Sequence, residues 1–82
     1  MFVVCIFFSN KEPAIVGLFK DLNEASCFED ELIEKYKSKN SEIQYNQTNY
    51  GCYEADFDTE RHPNVPFLIK IRDIIHPIEL HV

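Results

Sequence analysis

Four carboxylates recur at every second position in the segment "GCYEADFDTE", which spans residues 51–60. They are Glu54, Asp56, Asp58 and Glu60, and we refer to them as the acidic row. If the segment is a β-strand, these side chains share one face and lie about 6.6 Å apart, twice the rise per residue. That spacing is comparable to the distance between successive phosphates of a nucleic-acid strand. The row could therefore imitate a DNA backbone and occupy a basic groove on another protein.

Three acids on the polar side of a predicted helix would add a second line of negative charge. They are Asp30, Glu31 and Glu34, which we call the helix acids. Tyr50 precedes the row and would anchor a contact, since tyrosine is frequent among the residues that dominate protein interfaces. A simpler interpretation is that the row is the solvated face of a strand, whose acids pair with Lys70 and Arg72 across the ladder.

The same carboxylates could instead serve a metal ion. A site built from Asp56, Asp58 and Lys70 across two strands would make the chain a small metal-dependent hydrolase. One strand face is too linear to surround an ion, and the segment "YEADFDTERH" has no glycine for a calcium loop. We interpret the histidines, which are His62, His76 and His81, as surface or loop residues.

The sequence contains none of the common catalytic motifs: no Gly-rich phosphate loop, no GxSxG and no HExxH. Its three cysteines, Cys5, Cys27 and Cys52, form no CxxC pair. That spacing argues against a disulfide framework or a zinc ribbon and favours a reducing compartment. We therefore predict a protein that is not an enzyme and uses no cofactor and no metal.

Composition narrows the class of partner. Fourteen acidic residues against eight basic ones give a net charge of −6, which disfavours direct binding to nucleic acid or to an anionic membrane. A basic protein is the partner that this charge favours. The apolar run at residues 2–8 is too short to span a membrane, which takes ~20 residues, so we expect a cytoplasmic protein.

Residue usage adds an indication of the source genome. The chain is rich in Phe, Tyr, Ile, Asn and Lys but has only two Gly, three Ala and two Arg. Such usage is typical of AT-rich coding, as in low-GC bacteria and many phages. An acidic phage protein that blocks a host nucleic-acid-binding protein is the concrete form of the hypothesis.

The elements that must position these residues can be read from the apolar pattern. Residues 2–8 predict a central strand covered on both faces, and residues 14–19 predict a second strand in a hairpin with it. Gly17 would mark a bulge or close packing beneath a large side chain. A helix is predicted from a cap at Asp21 to Lys39 or Asn40, with an apolar arc listed as Ala25, Phe28, Leu32, Ile33 and Tyr36.

The second half predicts further strands. We expect one over 42–47, a loop over "NQTNYG", a strand through the acidic row, and irregular backbone over 59–66. Residues 67–75 suit a strand or a helix, and alternating Ile residues favour the strand. A short last strand at an edge could contain Ile78, Leu80 and Val82.

The predicted fold is thus one α+β domain over residues 1–82, an antiparallel sheet of about five strands with one helix packed on one face, in the order β-β-α-β-β-β. The other face of the sheet would be solvated or covered by a partner chain. Glu29 lies within the apolar arc, and we expect it at a seam where its carboxylate reaches solvent. Cys5 is predicted to lie in the core and Cys27 on the surface.

The leading hypothesis is a non-enzymatic acidic binding module. The first alternative is a homodimer that uses an apolar sheet face or the edge formed by Ile78, Leu80 and Val82. The second alternative is the hydrolase that would use Asp56 and Asp58.

Overall fold

The computed structural model describes residues 1–74, which form a five-stranded antiparallel sheet with one helix packed on one face. The elements are β1 (Phe2–Phe7), β2 (Ala14–Phe19), α1 (Leu22–Lys39), β3 (Asn46–Asn49), β4 (Cys52–Glu54) and β5 (Leu68–Asp73). Across the sheet the strands lie in the order β2-β1-β5-β4-β3. The α+β class and the element order are therefore confirmed. The strand predicted over Ile78–Val82 lies outside the described residues, as do His76 and His81.

The central position of β1 follows from its unbroken apolar sequence. It pairs with β2 on one side and with β5 on the other. Val4 and Ile6 face the helix and belong to the core, while Val3 and Cys5 on the opposite face are also buried. A strand that is apolar at every position is typical of burial on both faces, so this prediction is confirmed.

Gly17 has both of the roles that its place in a strand predicts. Val4 lies opposite Gly17 while the next residue, Cys5, lies opposite Ile15, so Val16 is an extra residue at a β-bulge. A Cβ atom on Gly17 would lie only 2.5 Å from Cε2 of Phe19. No larger residue fits there unless the aromatic side chains move.

Helix α1 begins and ends at the predicted residues. The Asp21 carboxylate accepts a hydrogen bond from the backbone N–H of Asn23 at 2.7 Å, and the N–H of Asn40 donates to the Tyr36 carbonyl at 3.0 Å. The helix packs its apolar arc against β1, β2 and β5. No helix within residues 1–74 is long and apolar enough to cross a membrane.

The strand predicted over residues 42–47 is wrong in its position. β3 covers Asn46–Asn49, so it shares only Asn46 and Gln47 with the predicted strand and extends into the predicted loop, and its four side chains are all exposed. An edge strand with both faces in water needs no alternation of apolar and polar residues. β3 forms by pairing with β4, and its own sequence has no pattern that predicts a strand. Before β3, Ile43 is buried and the Tyr45 hydroxyl donates to the Pro66 carbonyl at 2.6 Å.

The turn between β3 and β4 requires a glycine. Gly51 has a φ of 75°, a conformation that residues with a side chain rarely adopt, and its carbonyl accepts the N–H of Ile71 at 2.8 Å. Close approach to β5 therefore fixes the position of the hairpin. The strand interpretation of residues 67–75 is confirmed for Leu68–Asp73.

Candidate functional site

The acidic row does not lie along one strand. β4 ends at Glu54, which pairs with Leu68, and one further hydrogen bond joins the Ala55 N–H to the Phe67 carbonyl at 2.8 Å. Beyond Ala55 the described part of the chain has no strand residue to pair with, because the segment before β5 is irregular and contains Pro63 and Pro66. The strand predicted through the acidic row is therefore confirmed for Cys52–Glu54 and wrong beyond it.

The alternation of exposure nevertheless persists along the row. Its four acids are exposed, and the three residues between them, Ala55, Phe57 and Thr59, are half-buried. The backbone turns at Asp58, where the carboxylate accepts the N–H of Glu60 at 3.0 Å and the carbonyl accepts the N–H of Arg61 at 3.2 Å. The row is thus a bent line of surface carboxylates.

Two members of the row line a surface cleft. Glu54 and Asp56 lie beside Asn46 and Thr48 of β3, with Phe67 completing an opening of about 490 Å³. Two carboxylates and an aromatic ring provide hydrogen-bond acceptors and a π surface, which are the groups that an arginine or lysine side chain contacts.

No cation of the described residues neutralises the row. Within residues 1–74, none of its four carboxylates forms an ion pair within 4.0 Å. Lys70 lies opposite Cys5 and Cys52, with its Nζ 5.8 Å from the centroid of the Phe7 ring. Arg72 lies opposite Val3 on β1. The pairing of Lys70 and Arg72 with the row, expected if it were only a solvated face, is absent from this part of the chain.

The helix acids lie on a different side of the molecule. Tyr53 faces the helix, because its hydroxyl donates to the Asp30 carboxylate at 3.3 Å. The neighbouring Glu54 must then point to the opposite face of the sheet. Glu31 is exposed, and Glu34 pairs with Lys37 at 3.7 Å. The structure therefore does not join the helix acids and Glu54 into one surface.

Tyr50 is the tyrosine that remains available for a contact. It is 65% exposed in the turn between β3 and β4, on the same hairpin as Glu54. Tyr45 and Tyr53 point inward, and burial raises the pKa of both phenols, which stay protonated at neutral pH.

Glu29 is the residue whose environment differs most from the sequence-based expectation. It is 1% exposed on the helix face that packs on the sheet, and neither carboxylate oxygen has a hydrogen-bond partner among the described residues. Burial, with a smaller contribution from Asp30, raises its pKa to about 8. The predicted seam position is wrong, and the carboxyl is protonated at neutral pH. Its four-residue spacing from Ala25 and Ile33 was the available signal.

The remaining reactive residues form no cluster. Among residues 1–74 no three His, Cys, Asp or Glu side chains are placed to bind one metal ion. Asp56 and Asp58 thus have no third ligand in that range, and His62 contacts Glu42 at 2.6 Å. Cys27 is exposed and Cys5 is buried, as predicted, and burial raises the pKa of the Cys5 thiol.

Comparison with known proteins identifies no relative. No family model matches the chain, and no curated protein and no solved structure is significantly similar to it.

Proposed function

We propose that this chain is a non-enzymatic binding module that contacts a basic protein through the acidic row. The observation that carries the proposal is the cleft lined by Glu54, Asp56 and Phe67, whose carboxylates have no cationic partner within residues 1–74. Charges left without a partner on one side of a molecule are available to a partner of opposite sign.

The chemistry of the cleft favours an arginine side chain from the partner. A guanidinium donates two parallel hydrogen bonds to a carboxylate and can also stack on an aromatic ring. Asp58 and Glu60 continue the negative surface beyond the cleft, and Tyr50 lies on the same hairpin as an exposed aromatic contact. The net charge of −6 would accelerate the encounter with a basic surface.

Nucleic-acid-binding proteins are the class of basic protein that best suits an acidic competitor. Their phosphate-binding surfaces present arginine and lysine in a row, and a chain that occupies them would act as an inhibitor. Because the residue usage is typical of AT-rich coding, as in many phages, the specific form of the proposal is a phage-type inhibitor of a host protein. Because the row bends at Asp58, the imitation of DNA would rest on local charge density and less on a straight line of phosphate-like groups.

The proposal is tested by capture from a lysate of a low-GC bacterium with tagged protein, followed by elution in rising salt. The site variant is Glu54→Gln, Asp56→Asn, Glu60→Gln, which leaves Asp58 to hold its turn. We expect the wild type to retain a basic, nucleic-acid-binding protein that is released at moderate salt, because screening weakens exposed charge contacts. The site variant should not retain it.

A matched control separates the site from net charge. The variant Glu24→Gln, Glu42→Gln, Asp73→Asn also removes three exposed carboxylates, and all three lie outside the acidic row. It should retain the partner as the wild type does. Equal loss in both variants would show that only overall charge matters, and equal retention would contradict a role for the row.

The hydrolase and the terminal-edge form of the dimer gain no support within residues 1–74, whereas a dimer through an apolar sheet face is favoured by the exposure of Ile15 and Leu18. A dimer through the terminal edge would rest on Ile78, Leu80 and Val82, which lie outside the described residues, and salt would hardly affect it. A hydrolase that uses Asp56 and Asp58 would need an added divalent ion and lose its activity with EDTA.

A further inference from the structure

The face of the sheet opposite the helix is apolar where a solvated face would be polar. Val3, Cys5 and Phe7 of β1 alternate with the helix-facing residues and therefore point to this outer face. An antiparallel sheet with one face in water normally alternates apolar residues inside with polar residues outside. The outer face of β1 departs from that pattern.

Two large aliphatic side chains next to β1 are left in water. Ile15 and Leu18 of β2 pair with Cys5 and Val3, so they share the outer face, and they are 59% and 57% exposed. We call the surface formed by Phe7, Ile15 and Leu18 the outer patch; Val3 and Cys5 share this face but are buried. Contiguous apolar surface of this kind commonly marks a protein-binding site.

The outer edge of β2 adjoins the outer patch. Among residues 1–74, β2 pairs only with β1, and its sequence, Ala14–Phe19, contains no charged residue. Edge strands of soluble proteins are usually protected by charge, by proline or by a bulge, and among the strand's own residues only the bulge at Val16 provides this.

Charges of both signs flank the apolar centre. Glu12 and Arg72 line the same cleft of about 460 Å³ with Cys5, Phe7 and Ile15. Neither residue forms an ion pair within 4.0 Å in residues 1–74. Lys70 adds a second cation to this face, since it lies opposite Cys5 with its Nζ 5.8 Å from the centroid of the Phe7 ring. A surface that carries both signs around an apolar centre can match a second copy of itself, because a two-fold axis can place Glu12 of each copy opposite Arg72 of the other.

We propose that the outer patch is a homodimer interface, in which Ile15 and Leu18 pack against the outer patch of a second copy. Glu12 of each copy then faces Arg72 of the other. A purely acidic partner would leave Glu12 facing its own sign, and a purely basic partner would leave Arg72 and Lys70 facing theirs, which is why a second copy fits best. The interface is independent of the acidic row, which begins at β4, two strands from β1.

Sedimentation equilibrium of the full chain tests the interface. The monomer has a mass of 9.7 kDa, and we expect the mean mass to approach twice that value as concentration rises from about 10 µM to about 1 mM, the range for a small interface. The variant Ile15→Thr, Leu18→Thr should stay monomeric, because both side chains are exposed and threonine preserves strand propensity. Circular dichroism confirms that the variant folds.

Two controls make the test specific to the outer patch. Tyr50→Thr removes an equally exposed large side chain elsewhere and should leave dimerisation unchanged. Glu12→Lys and Arg72→Glu should each weaken the dimer about tenfold, and the combined variant should restore it. A chain that stays monomeric throughout, a dimer indifferent to Ile15→Thr, Leu18→Thr, or no rescue by the charge exchange would each overturn the proposal.

Discussion

Glu29 places an ionisable carboxyl in the apolar contact between α1 and the sheet. Its ordinary pKa of 4.5 is raised to about 8 in the folded chain, chiefly by burial. Between these two values the folded chain holds a proton that the unfolded chain has lost, so raising the pH favours unfolding. The part of its cost that depends on pH is therefore absent below pH 4.5 and rises until about pH 8, and it adds to the constant cost of burying a carboxyl without a hydrogen-bond partner in residues 1–74.

The first prediction is that Glu29→Leu stabilises the protein, and more so at higher pH. The difference in free energy of unfolding between variant and wild type should grow by about 1.4 kcal/mol per pH unit between the two pKa values. It should become constant above pH 8, where the folded-state carboxyl is also ionised. Urea unfolding followed by circular dichroism at several pH values measures this difference.

Glu31→Gln is the matched control, since Glu31 is an exposed carboxylate on the same helix. It should change stability by less than about 0.5 kcal/mol at every pH. If the change in free energy of unfolding caused by Glu29→Leu does not depend on pH, or if the variant is less stable than the wild type, a protonated buried carboxyl is contradicted.

At the scale of the elements, β2 depends on a glycine beneath an aromatic ring and α1 depends on its N-terminal cap. The close approach of the Phe19 ring to Gly17 predicts that Gly17→Ala destabilises the protein by about 1–3 kcal/mol, through overpacking. In a Phe19→Leu background the ring is gone, so Gly17→Ala should cost much less. Thermal unfolding of the four proteins measures the coupling, and equal costs in both backgrounds would refute it.

The helix depends on its N-terminal cap. Asp21→Ala removes the acceptor for the Asn23 N–H and should cost about 1 kcal/mol of stability. Asp21→Asn retains an acceptor oxygen and should cost clearly less. Equal losses for the two substitutions, measured by urea unfolding, would show that charge at the helix terminus and not the hydrogen bond is responsible.

The elements also show what could be predicted from the sequence and why the rest could not. β1, α1 and β5 carry apolar patterns imposed by the core, β2 is an apolar run although most of it is exposed, and all four were predicted. β3 is polar because it lies at the sheet edge, and β4 is short because its partner β5 begins at Leu68. Both depend on pairing between residues distant in the chain, which local sequence does not record.

The candidate site was predictable to the same extent. Alternation identified the exposed acids of the row correctly, since the solvent-facing pattern survives beyond the strand. The turn at Asp58 and the cleft beside Phe67 depend on tertiary contacts. The burial of Glu29 was missed because helical spacing shows which face of the helix a residue lies on but not how far its side chain lies from solvent.

At the scale of the whole molecule, the acidic row and the apolar outer patch lie on different parts of the sheet. The acidic row begins at β4, whereas the outer patch lies over β1 and β2, with β5 between them. If both proposals hold, a dimer carries two acidic rows. Two linked rows would bind a partner with two basic sites more tightly than one row does, without any new contact.

Competition with DNA tests the central claim most directly. The nucleic-acid-binding protein captured by the wild type is loaded with fluorescent duplex DNA, and release is followed by anisotropy as the chain is added. We predict that the wild type releases the DNA, that Glu54→Gln, Asp56→Asn, Glu60→Gln needs about tenfold more protein, and that Glu24→Gln, Glu42→Gln, Asp73→Asn behaves as the wild type does. Equal release by the two triple variants, or no release by the wild type, would contradict binding through the acidic row.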